Sequence, residues 1–209
     1  MQDGEQALPL SDEDGREVVG LARETLESFV GGARPRVKKW GAGFMSEKRG
    51  VFVTLNTTQF GPKSLRGCIG FSEPVMPLGE AVQVATMEAA AEDPRFRPVT
   101  PRELPFIEVE VSVLTKPVEI SAPRRQDVPK LLRLGRDGIV VSRPEASALF
   151  LPQVATETGW DAETFLSEAC MKGGMTPDAW LDDRTRIQTF QAEIFAEKGP
   201  KGAVERVKV

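Results

Sequence analysis

Between positions 107 and 114 the chain reads Ile-Glu-Val-Glu-Val-Ser-Val-Leu, and no other stretch constrains the fold as tightly. Side chains of an extended chain repeat every two residues, so Ile107, Val109, Val111 and Val113 share one face and Glu108, Glu110 and Ser112 the other. That pattern describes a strand with one buried and one polar face, the habit of antiparallel sheets. Val51-Phe52-Val53-Thr54-Leu55 is a second strand by its β-branched and aromatic content. Residues 57–62 read as a turn, which predicts that 65–71 returns antiparallel to it.

Helical signals flank these strands. Ser11 and Asp14 form a capping-box pair ahead of Val18, Leu21, Ala22, Leu26, Phe29 and Val30 at helical spacing, and Gly31-Gly32 end the run. After a basic loop anchored by Trp40 and Phe44, a second helix follows Pro77 and stops before Pro94. Pro117–Ile120 is expected to extend the edge of the 107–114 strand. Asp127–Leu134 reads as a short helix, and Ile139–Ser142 with Ala148–Leu151 as a hairpin closed by Pro152. A helix opens at Trp160-Asp161 with Phe165, Leu166, Ala169 and Cys170 on its apolar face, which makes Cys170 a core residue. Arg186–Ala196 reads as one final strand, with a frayed charged tail from 197 to 209. The order of elements implies an α+β fold, mainly antiparallel sheet with flanking helices.

Leu65-Arg66-Gly67-Cys68-Ile69-Gly70 is the stretch whose composition suggests chemistry. Strict alternation would put Leu65, Gly67, Ile69 and Phe71 toward the core, with Arg66, Cys68 and Gly70 on the opposite face. A guanidinium beside a thiol favours thiolate, and Gly67 and Gly70 leave room for a ligand or another backbone. Equally, Cys68 can be a small buried hydrophobe and Arg66 the partner of a carboxylate. Either Glu108 or Glu110 is expected to meet Arg66 or Arg95 across neighbouring strands, building a polar pocket around Cys68.

Composition narrows the chemistry further. The chain of 209 residues has no histidine and no tyrosine, which removes Ser-His-Asp and Cys-His catalysis and every imidazole-held metal. Its two cysteines form no metal-binding cluster, and no Walker loop or dinucleotide fingerprint is present, so neither a metal nor a cofactor is expected. A net charge of −4 argues against sequence-independent nucleic-acid binding, although Arg34–Lys39 and Arg124-Arg125 are short basic clusters. With no apolar run of membrane-spanning length and no basic-led apolar leader, a cytoplasmic protein with no membrane association is expected.

Five blocks in order resemble the AMMECR family, named for an Alport-syndrome, midface-hypoplasia and elliptocytosis chromosomal region. They are Leu65–Gly70, Ala90–Phe96, Glu108–Leu114, Leu151–Val154, and Met171–Gly174 before Trp180. The resemblance covers about residues 11–197. It implies a single domain over 1–209 with two unequal lobes on antiparallel sheet, the larger lobe holding both chain ends. Such proteins have no established activity, and their Cys-containing hexapeptide is a suspected site, a suspicion that falls here on Arg66 and Cys68. Their association with Memo-like and radical SAM proteins implies a redox or modification pathway and a possible partner there. Where several members carry histidine before the glycine at Gly138, this chain has Asp137.

Two functions follow as expectations. In the first, the chain is a non-catalytic binding or scaffold protein that presents Arg66, Gly67, Gly70, Arg95 and Glu108 as a pocket for a protein or a small anionic ligand. In the second, Cys68 is a catalytic thiolate, Arg66 lowers its pKa, and Glu110 moves protons.

Overall fold

The computed structural model describes residues 10–33, 35–120 and 122–207. Arg34, at the head of the basic run, and the last two residues of the tail lie outside the described residues. In chain order the elements are α1 (Asp12–Val30), β1 (Val51–Thr57), β2 (Ser64–Phe71), α2 (Leu78–Ala91), β3 (Ile107–Leu114), β4 (Val118–Glu119), β5 (Gly138–Arg143), β6 (Ala146–Phe150), α3 (Pro152–Thr158), α4 (Ala162–Lys172), β7 (Arg186–Phe190), β8 (Ala192–Glu197) and β9 (Val204–Val207). The fold is α+β. It divides into two compact units, one running to Leu114 and resuming at Glu193, the other spanning Thr115–Ala192.

The first unit is built on a five-stranded sheet in the order β2-β1-β3-β8-β9. As the alternation predicts, Ile107, Val109, Val111 and Val113 are fully buried, alongside Val51, Val53 and Leu55 of β1. Against them pack Val18, Val19, Ala22 and Leu26 of α1 and the alanines of α2. The Ser11–Asp14 capping box is present at the start of α1. One buried ion pair ties α1 to the sheet: Arg23 holds Glu197 and donates to Ile107 O at 2.6 Å, while Glu197 accepts from Val109 N at 2.9 Å. Glycine at position 67 lets the backbone of α2 approach β2 closely. A Cβ at Gly67 would lie 2.2 Å from Ala89 O, so glycine is required by contact there.

The second unit carries a four-stranded sheet in the order β4-β7-β5-β6 with antiparallel pairing. Ile139, Val141, Ile187, Phe165, Leu166, Ala169 and Cys170 form its core. Cys170 is fully buried, as its place on the apolar stripe of α4 predicts. Asp137 closes the turn before β5: its carboxylate accepts from Arg133 N at 3.0 Å and from Gln191 Nε2 at 3.4 Å.

Several elements depart from the sequence reading. Residues 186–196 are two strands, because the chain passes from one sheet to the other at Gln191. Part of the supposedly frayed tail is β9, held by antiparallel pairing of Val204–Val207 with Glu197–Ile194. Val118-Glu119 pairs with β7 and does not extend β3. The segment Arg125–Leu131 is a 3-10 helix, with Pro129 inside it in place of an α-helical hydrogen-bond donor. Pro152 ends β6 but also opens α3, where its missing N–H costs nothing in the first turn, and Gly159 closes that helix at φ 70°.

Candidate functional site

β2 forms one edge of the larger sheet, and its pairing with β1 decides where the hexapeptide side chains go. Cys68 lies opposite Thr54, and Thr54 lies opposite Glu110, so the three occupy one row on the face away from the core. The register then shifts between Leu55 and Asn56: Leu55 faces Gly67 while Asn56 faces Leu65, leaving Arg66 as the extra residue of a bulge. A bulge re-aims side chains. Leu65 therefore leaves the core side, where strict alternation would put it, and is 38% exposed.

Arg66, the extra residue of that bulge, turns to the segment that follows α2. Its Nε donates to Glu103 at 2.7 Å and Nη2 to Arg97 O at 2.8 Å. The guanidinium beside the thiol is that of Arg95, in the segment that follows α2. An edge strand leaves backbone groups unpaired, and at Cys68 this segment supplies their partners. Cys68 N donates to Asp93 Oδ2 at 2.8 Å, and Arg95 Nη2 donates to Cys68 O at 3.3 Å. Asp93, its side chain only 2% exposed, also accepts from Arg95 N at 3.1 Å and Arg95 Nε at 2.9 Å. The rings and cations stack on: the Phe96 ring lies 5.5 Å from the Arg95 guanidinium carbon and 5.8 Å from that of Arg66.

These contacts set the electrostatics. Hydrogen bonding from Arg95 holds the Asp93 carboxyl far below the usual carboxylate range. Burial pushes Glu103 up, but bonds from Arg66 and Thr100 outweigh it and leave its pKa lowered. For Cys68 burial dominates and pushes the thiol above its ordinary value; the Thr54 hydroxyl, donating to Sγ at 3.3 Å, and the Arg95 charge oppose that, while Asp93 and Glu110 add to it. The cation beside the thiol is Arg95 and not Arg66, and desolvation outweighs its pull, so the Cys68 thiol is pushed up. Glu108 is drawn to Lys63 at 3.1 Å, not to Arg66 or Arg95. Gly70 meets the strand beside it: a Cβ there would lie 2.2 Å from Val51 O. Among the described residues no three acidic or cysteine side chains are grouped to hold a metal ion, and no helix is long and apolar enough to cross a membrane.

A family model described as AMMECR1 matches residues 19–195. The chain belongs to the AMMECR1 family. A protein of Methanothermobacter thermautotrophicus is 48% identical over 192 residues, 91% of this chain and 98% of its own. One from Thermococcus gammatolerans is 47% identical over 199 residues, 94% of this chain and 97% of its own. The crystal structure of the uncharacterized protein PH0010 from Pyrococcus horikoshii has a TM-score of 0.86 at 44% identity, covering 96% of this chain and 99% of that one. The Leu65–Gly70 hexapeptide lies within the matched region, on an edge strand.

Of the residues singled out from sequence, the structure brings Cys68, Glu110 and Arg95 together and sets Arg66 and Glu108 apart with other partners. Asp93, Thr54, Glu103 and Phe96 complete the site and were not singled out. Thr54 carried a signal: it alternates outward on a strand adjacent to the hexapeptide. Asp93 was marked by its place in the Ala90–Phe96 block, beside Pro94 and Arg95, but by no pattern that joins it to Cys68.

Proposed function

We propose that this AMMECR1-family chain is a non-catalytic binding protein, with the Leu65–Gly70 edge strand and the Asp93–Phe96 segment along it forming a rigid platform for a protein or a small anionic ligand. The observation that supports this is the state of the reactive candidates. Burial pushes the Cys68 thiol up, and Arg66 and Arg95 are each engaged by a carboxylate. Such a lattice orders a surface at low entropic cost to an incoming partner. The half-exposed Arg95 guanidinium, its side chain 53% exposed, is the group on this platform that can still reach an anion.

A second reading draws on Thr54 and Arg95, both of which favour thiolate at Cys68. In it Cys68 is a nucleophile in a redox or modification pathway with a Memo-like or radical SAM partner, and Glu110 exchanges the proton. Titrating alkylation of Cys68 against pH, in a Cys170→Ala background, separates the two. A midpoint above the ordinary thiol value of about 8.5 is expected; a midpoint near or below about 7 overturns the binding reading.

A further inference from the structure

We infer that the end of the larger sheet formed by the β1–β2 turn and residues 97–106 is a docking surface for an acidic protein segment that carries large apolar side chains. The inference extends the binding reading to a neighbouring surface and does not require Cys68. Three apolar side chains stand in solvent here: Phe60 is 89% exposed, Phe106 39% and Leu65 38%. They come from two segments joined by the backbone. Thr58 N donates to Phe106 O at 3.0 Å, Thr57 pairs with both Ser64 and Ile107, and Arg66 reaches Arg97 O at 2.8 Å. The bulge after Leu55 is what turns Leu65 to this face. Exposed apolar groups gathered at one place mark interaction surfaces.

Charge selects the partner. The two segments carry Lys63, Arg66, Arg97 and Arg102 against a single carboxylate, Glu103, in a chain whose formal net charge is −4. Glu103 engages Arg66 and Glu108 engages Lys63. Arg97 and Arg102 are exposed and make no ion pair among the described residues. Pro62, Pro98, Pro101 and Pro105 stiffen both segments, so little order is lost on binding. Aromatics with arginines also suit single-stranded nucleic acid. The presence of Leu65, which offers no ring for stacking, favours an acidic peptide with apolar side chains over a run of bases.

Fluorescence anisotropy of the full chain with a labelled peptide of ~11 residues, Asp and Glu interrupted by two Phe and one Leu, tests the inference. Binding in the range of tens of micromolar is expected, weakening with salt. Phe60→Ser, at a solvent-exposed turn position, and the double change Arg97→Glu with Arg102→Glu should each weaken it about tenfold or more. The Leu131→Ser variant, at an exposed apolar position in the second unit, should bind as the parent does. Equal affinity for the Lys/Arg counterpart of the peptide, parental affinity in either surface variant, or loss in Leu131→Ser would overturn the inference. So would tighter binding to single-stranded oligouridylate or to phosphatidylserine vesicles.

Discussion

Cys68 and Cys170 carry the same side chain, and burial raises the pKa of both, yet their surroundings have little in common. Cys170 sits on α4 packed among Phe165, Leu166, Ala169 and Trp180, with the Trp180 backbone as its polar partner. Cys68 sits on an edge strand whose free backbone groups are answered by Asp93 and Arg95, with Thr54 on its sulfur. One is held by packing and the other by a polar lattice. A raised thiol pKa alone therefore does not distinguish a core residue from a surface platform; the identity of the neighbours does.

The largest test of that contrast is Asp93→Ala. It removes the acceptor for Cys68 N, Arg95 N and the Arg95 side chain at once, leaving a nearly buried donor unsatisfied, and should cost about 2–4 kcal/mol in urea unfolding. A loss below about 1 kcal/mol would mean that the lattice at Cys68 is not structural. Next in size is Cys170→Ser, which puts a hydroxyl among apolar side chains with the Trp180 backbone as its polar partner, and should cost about 1–3 kcal/mol. Cys68→Ser should stay within about 1 kcal/mol, since Thr54 already offers a hydroxyl partner. Equal losses for the two serine variants would erase the distinction between the cysteines.

The smallest effect is in acid. The folded-state pKa of Asp93 lies below its unfolded value of about 3.9. Its contribution is complete above that unfolded value and fades as pH falls through the range below it. The Tm difference between the parent and Asp93→Asn should be largest near neutral pH and shrink as pH drops from about 5 toward 2. A difference that widens toward acid would reverse the assigned sign.

Much of the fold was legible because its signals are local. The alternation of 107–113, the hairpin of β1 and β2, the capping box at Ser11 and the apolar stripe of α4 each depend on residues close in sequence. The split at Gln191, the pairing of β9 and the identity of the sheet that takes Val118-Glu119 were not legible, since each depends on a strand far away in the chain. At the site the same division holds. Gly67 and Gly70 were recognisable as places of close approach, while Asp93, 25 positions from Cys68, had no periodic signal to join it to the hexapeptide.

Periodicity and composition alone were enough to establish which face of β3 is apolar, that β1 is a strand, that the architecture mixes helices with antiparallel strands, and that the chain supplies no imidazole of its own. Tertiary structure decided that Arg66 leaves Cys68 and that Arg95 replaces it. Two features explain this: one bulge in the β2 ladder reverses the facing of Leu65 and re-aims Arg66, and the place of β2 at the sheet edge leaves backbone groups that a distant segment satisfies.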